Sequence, residues 1–128
     1  MGSNPSLRTI IHPWPLAVCR LDPHAEVPSW VQGAFVSITR TPEELSIVCD
    51  ETNVPSDVNA EPGWRAIQVA GPIPFETTGV AAALTAPLAA AGISVFLIAT
   101  FDTDYVLVKR EVLDRAAETL RAAGHQVT

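Results

Sequence analysis

The residues best suited to chemistry lie in Gly71–Val80, which reads GPIPFETTGV, and in the Gly92-Ile93-Ser94-Val95 run beyond it. A glycine at a helix start leaves backbone N–H groups facing outward. The helix dipole adds partial positive charge there. A carboxylate, such as that of a free amino acid, suits such a place. Ser94 and Val95 open the next strand and offer backbone groups and a hydroxyl to an amino group or a carboxylate. A capped helix on a sheet, with its glycines doing turn work alone, accounts for the same residues. Asp102 and Asp104 flank Thr103 in a turn. They read either as solvated turn carboxylates or as partners for a cationic side chain. A carboxylate pair also suggests acid–base catalysis, but no nucleophile or histidine stands at a telling spacing.

Other reactive side chains are scattered. Cys19 and Cys49 sit in strand-like runs, LAVCRL and LSIVC, and read as buried thiols rather than a disulfide. No Cys-x-x-Cys and no histidine at ligand spacing supports zinc. His12, His24 and His125 fall in loops or ends and read as surface residues. Trp14, Trp30 and Trp64 read as packing residues. Ser37 and Ser46 lack the Gly-x-Ser-x-Gly elbow of a serine hydrolase. No catalytic residue, metal or cofactor is expected.

The composition narrows the partners. The chain has 128 residues and a net charge of -6, with 48% hydrophobic residues and 11 prolines. That is enough chain for a real core. The acidic balance disfavours nucleic acid and anionic membrane surfaces. No apolar run reaches the length of a membrane span, and Met1–Thr9 lacks a signal-peptide core. A cytoplasmic protein is expected. Met1-Gly2-Ser3-Asn4-Pro5-Ser6 fits the loose myristoylation pattern. Arginine is used almost to the exclusion of lysine and alanine is abundant, a hint of a GC-rich bacterial genome.

Patterning gives the elements that must position these groups. Residues 1–13 read as a tail with a loose strand around Leu7–Ile11. Strands follow at Leu16–Leu21, Phe35–Thr39 and Leu45–Cys49, the last two as a hairpin. Single helical turns are expected at Pro28–Gln32 and Val54–Val58. Trp64–Ala70 is a strand, and Thr78 reads as the N-cap of a helix over Gly79–Ala91. Val80, Ala83, Leu84, Pro87, Leu88 and Ala91 form its apolar stripe, and Gly92 ends it. Strands at Ile93–Thr100 and Tyr105–Lys109 precede a helix over Glu111–Ala123. That helix faces inward with Leu113, Ala116, Ala117 and Leu120 and carries a Glu111–Arg115 pair outside. Gly124 ends it, and His125–Thr128 suits a short terminal strand. Phe35–Cys49 echoes Val95–Lys109 at an offset of sixty residues, aligning Ile38 with Ile98, Glu44 with Asp104 and Val48 with Val108.

Two segments carry a family resemblance. They are Glu76-Thr77-Thr78-Gly79-Val80 and Pro87-Leu88-Ala89-Ala90-Ala91-Gly92-Ile93-Ser94. They resemble the ACT family, amino-acid-sensing regulatory modules of βαββαβ fold. That family's loop often reads Asp-x-x-Gly before a helix ending in Pro-Leu-x-x-x-Gly-Ile. Here glutamate replaces the aspartate. ISVFLIATFDTDYVLV is similar to the small stand-alone ACT proteins akin to the CASTOR-type amino-acid sensors. The resemblance covers Trp64–Gly124 well and Leu16–Cys49 as a diverged half. It implies a ligand at an interface between ACT units. The site residues it implies are Phe75, Thr77, Thr78, Gly79, Val80, Ser94 and Val95, to which Asp104 is added for a cationic ligand.

The expected fold is therefore α+β, ferredoxin-like, with two tandem ACT-like halves, antiparallel sheets and helices on one face. The expected domains are a tail at 1–13, a diverged half at 14–62 and an ACT domain at 63–128. The expected function is non-catalytic binding of an amino acid by a regulatory or sensor protein. The alternatives are a ligand-free dimerisation module and, behind it, a small ferredoxin-like enzyme using Asp102, Asp104 or His125. Phe96 and Ile98 give the sheet a second apolar face, which predicts a homodimer or tightly paired halves. A separate regulated protein partner follows from the lack of any catalytic segment in the sequence.

Overall fold

The computed structural model describes residues 5–128; the start of the myristoylation pattern lies outside the described residues. In chain order the elements are β1 (Arg8–Ile11), β2 (Leu16–Leu21), β3 (Ser37–Arg40), β4 (Leu45–Asp50), β5 (Ala60–Val69), α1 (Val80–Ala90), β6 (Phe96–Ala99), β7 (Asp104–Lys109), α2 (Leu113–Ala122) and β8 (Gln126–Val127). The fold is mixed α+β, with mostly antiparallel strands and two helices. It divides into two compact units. A helical unit combines the described residues up to Pro13 with Arg65–Thr128, and a β-rich unit is Trp14–Trp64. Among the described residues no helix is long and apolar enough to cross a membrane.

In the helical unit the strands run β6-β7-β5-β1-β8. Strand β1 pairs antiparallel with β5, Thr9 facing Val69, and parallel with β8, Thr9 facing Val127. The loose strand expected around Leu7–Ile11 is thus wedged between β5 and β8. Ile67, Val69, Val106 and Val108 meet Val80, Leu84 and Leu88 of α1 and Ala116, Ala117 and Leu120 of α2 in one core. Burying this set is the main favourable term for the unit.

Both helices end as the glycines predict. Gly92 takes φ 73 and Gly124 φ 97. Ile93 N–H reaches Leu88 O at 2.9 Å and Gly92 N–H reaches Ala89 O at 3.0 Å, the bond pair of a Schellman end, and His125 N–H to Leu120 O with Gly124 N–H to Arg121 O, both at 3.0 Å, repeat it. The helix starts differ from expectation. Gly79, not Thr78, caps α1, at φ 81 and without a side-chain bond. Glu111 falls in a 3-10 turn, Arg110–Val112, ahead of α2. The expected Glu111–Arg115 spacing on one α-helix is therefore lost, and the Arg115 guanidinium donates to Ala91 O at 2.8 Å.

His125 also corrects the expectation of a surface histidine, being 6% exposed. Pro87 lies inside α1 and has no N–H, so it cannot serve the carbonyl of Ala83. His125 Nε2 sits 2.9 Å from that oxygen, and Nδ1 accepts the Leu7 N–H at 3.1 Å. One imidazole thereby joins α1 to the start of β1 and satisfies a carbonyl the proline leaves open.

In the β-rich unit the strands run β3-β4-β2-β5, all antiparallel. Ala17, Cys19, Leu45, Ile47 and Cys49 are buried on one face, with Trp30, Val31, Val54 and Val58 packed over them. Both cysteines are free thiols. Burial, then the neighbouring Cys49, pushes the Cys19 thiol up to about 11. The expected turn near Val54–Val58 is present, Val58 N–H donating to Pro55 O at 3.2 Å, and a 3-10 turn at Glu51–Asn53 precedes it. Strand β5 begins at Ala60, earlier than Trp64, and runs through Pro62 and Gly63. A register shift opposite Leu16 and Val18 absorbs them, with Gly63 at φ 84. The Glu51 carboxylate accepts the Gly63 N–H at 2.9 Å, so the bulged backbone keeps a partner.

The internal echo is real, but its spacing is 59 rather than sixty. Arg40 pairs with Leu45 in one hairpin and Ala99 with Asp104 in the other. Each hairpin closes through a four-residue turn headed by threonine. Thr41 N–H donates to Glu44 O at 2.9 Å, and Thr100 N–H donates to Thr103 O at 2.8 Å.

Candidate functional site

The helical unit holds a pocket of about 340 Å³. That lies at the small end of the range for small-molecule sites, about 300–1,000 Å³. One wall is the loop from Ile73 to Gly79 with the first residues of α1, Val80 and Ala81. The other is the end of β6 and its turn, Ala99 to Asp104. Topology makes the two walls meet. Strand β5 leads out to α1, and β6 returns the chain to the end where α1 began.

Local sequence sets the shape of each wall. Pro72 and Pro74 deny the loop a ladder of strand hydrogen bonds. Thr77 N–H closes a turn onto Pro74 O at 3.0 Å. Gly79 supplies the left-handed residue that starts α1. The first intrahelical bond at this end is Ala83 N–H to Gly79 O at 2.9 Å. The preceding N–H groups of α1 have no helical acceptor, and Val80 and Ala81 carry two of them at the pocket wall. The opposite wall carries Asp102, exposed, and Asp104, half-buried. These are the ionisable side chains of the lining, which holds no lysine, arginine or histidine. The pocket is thus polarised, with helix N–H groups on one side and carboxylates on the other. Across the mouth Phe75 and Phe101 meet edge to face at 4.7 Å, and they are 73% and 78% exposed.

Of the residues singled out from the sequence, Phe75, Thr77, Gly79, Val80 and Asp104 line this pocket. Thr78 is exposed beside it and makes no cap bond. Ser94 and Val95 are not in the lining. They precede β6, at the strand end remote from the turn; Ser94 is exposed and Val95 packs against the core. Sequence reasoning missed Ala99, Thr100, Phe101 and Thr103. An aromatic residue in a polar turn, FDTD, was the available signal for Phe101. His125 is engaged with Leu7 and Ala83 and does not line the pocket. Among the described residues no group of three or more His, Cys, Asp or Glu side chains is placed to hold a metal ion.

The sequence profile of the ACT domain matches residues 59–122. The chain belongs to the ACT family. A second profile, described as an N-terminal domain, matches residues 15–57. The ACT chain is 38% identical to Agrobacterium tumefaciens protein Atu0741, whose crystal structure superposes with a TM-score of 0.91 over 97% of this chain and 93% of that one. It is 34% identical to human CASTOR3P over 67% of this chain and 61% of that protein. It is 33% identical to the bovine cytosolic arginine sensor for mTORC1 subunit 1, over 69% of this chain and 29% of the sensor. The ACT chain therefore spans less than two thirds of these two curated relatives.

Proposed function

We propose that this ACT chain is a non-catalytic regulatory or sensor protein that binds a free amino acid in the pocket between the Ile73–Gly79 loop and the Ala99–Asp104 turn. One observation carries the reading: the pocket sets the free N–H groups of α1 against two carboxylates. An α-carboxylate matches the helix end, and a cationic side chain or amino group matches Asp102 and Asp104. The aromatic pair offers apolar cover for the alkyl part of such a ligand. The curated relatives named as arginine sensors support L-arginine as the first candidate and a cytosolic setting.

Ser94 and Val95 enter this reading through a second copy of the chain. They are absent from the lining of the pocket, so they contribute only where a homodimer brings them to another copy's Gly79. Exposed apolar side chains such as Leu97 of β6 suit such an interface. The signal then passes to a separate protein, through a change in the dimer or in a partner contact.

The test is a thermal-shift screen of the twenty amino acids on protein refolded free of ligand, with mass measured by light scattering. A ligand at one hundred times its Kd adds about 2.7 kcal/mol of stability, a shift of several degrees at this size. A shift for one or two amino acids is expected. A flat panel from a folded dimer would leave a dimerisation module in its place.

A further inference from the structure

We propose that Thr103 is the positioning residue of the pocket, its buried hydroxyl latching the turn to the end of β5, from which the ligand-facing loop leaves, and so setting affinity. This rests on reading the pocket as an amino-acid site. The two walls are remote in sequence and are tied by a compact set of contacts. Thr103 Oγ1 donates to Val69 O, where β5 ends, at 2.5 Å. Ile73 N–H donates to Asp102 O at 2.6 Å. Gly71 lies against both residues: a Cβ there would stand 3.0 Å from Asp102 O and 3.1 Å from Thr103 Cβ. The turn cannot rotate freely, because Thr100 N–H and Oγ1 both donate to Thr103 O, at 2.8 and 2.9 Å.

Burial sets Thr103 apart from its neighbours. It is 4% exposed, while Phe101 in the same turn is 78% exposed. A buried hydroxyl between two chain segments exchanges a solvated donor for a fixed one, and losing it leaves the Val69 carbonyl without that donor. Beyond Val69 the loop is tied to the turn by Ile73 N–H on Asp102 O, the residue next to Thr103. From Gly71 to Gly79, Ile73 alone is half-buried and the rest are exposed. Loop placement, and with it the distance between the helix N–H groups and Asp104, therefore depends on this latch. The equivalent turn residue in the β-rich unit is Glu44, which has no hydroxyl to play this part.

The experiment compares Thr103→Val, Thr103→Ser and Gly71→Ala with the parent chain. Amide hydrogen exchange of Ile73 is read by NMR, and L-arginine binding by calorimetry. Thr103→Val keeps the shape and loses the hydroxyl. It is expected to speed Ile73 exchange about tenfold and weaken L-arginine about tenfold, with Val106 and Leu107 amides unchanged. Gly71→Ala should act in the same direction by forcing the walls apart. Thr103→Ser keeps the donor and should restore both readouts. Parent-like Ile73 exchange in Thr103→Val, or a Thr103→Ser variant as impaired as Thr103→Val, would overturn the proposal. A parent chain that ignores L-arginine and every other amino acid would refute the function reading instead. Ile73 exchange would still decide the latch.

Discussion

The two units carry the same hairpin and put it to different use. In each, a strand leads through a loop to a hairpin whose second strand pairs back with it or lies beside it: β2 to β3–β4, and β5 to β6–β7. Both hairpins close with the same threonine-headed turn. The residue just before the turn differs. In the β-rich unit it is Arg40, whose guanidinium donates to Pro23 O and, at 2.7 Å, to Ala25 O in the loop after β2. In the helical unit it is Ala99, which lines the pocket. A long cation filling one loop and a methyl group leaving the other open is the difference between a strapped surface and a cavity. The connection differs too. Between β5 and β6 lies the eleven-residue helix α1, whereas between β2 and β3 there is a turn closed by Val31 N–H to Pro28 O. Among the described residues, the helical unit thus presents an α-helix start at its pocket, and the β-rich unit has a single 3-10 turn instead.

The largest expected effect comes from making the second hairpin resemble the first. Ala99→Arg should fill the pocket and lower amino-acid affinity at least a hundredfold with little change in melting temperature, because residue 99 is exposed. Calorimetry against L-arginine with a melting curve on the same sample checks it.

Next is the bond that lets α1 keep its proline. His125→Phe should cost about 2–4 kcal/mol in urea unfolding, since it leaves the Ala83 carbonyl and the Leu7 N–H without their buried partner. Adding Pro87→Ala restores a donor to Ala83 O, so the double variant should recover part of the loss. Additive behaviour in that cycle would show that the two residues do not share the carbonyl.

A smaller effect is expected where the strap is cut. Arg40→Ala should cost under about 1 kcal/mol, because the bonds are solvent-exposed. Amides between Asp22 and Val27 should exchange faster, while L-arginine binding in the other unit stays at the parent value.

The smallest effect is alkaline. The Cys19 thiol is raised by burial, so the unfolded chain loses this proton before the folded one does. Its contribution is complete below the unfolded value near 9 and is lost as pH rises toward 11. Urea midpoints should fall modestly across that window, and Cys19→Ala should flatten the decline.

Much of this was legible in the residues. Period-two runs located β2, β4 and β7, and Gly92 and Gly124 marked both helix ends, because a left-handed residue there has few alternatives to glycine. The loop GPIPFETTGV pointed to one wall of the pocket. The other wall was hidden because nothing local says that residue 103 approaches residue 69; that contact depends on strand order. His125 was misread for the same reason. Its burial follows from a carbonyl that Pro87 leaves open in a helix far from it in sequence. The early start of β5 was masked by Pro62 and Gly63, which look like turn residues and become a bulge only because Glu51 supplies an acceptor. The echo was seen one residue out of step, since turn register is fixed by hydrogen bonds and not by side-chain similarity.

The most direct test is calorimetric titration of the parent and Ala99→Arg proteins, each freed of ligand, with L-arginine and then with the remaining amino acids. The account predicts saturable binding of one or two amino acids by the parent and none by Ala99→Arg. Equal binding by both proteins would place the ligand elsewhere than this pocket, and no binding by a folded parent would contradict amino-acid sensing by this chain.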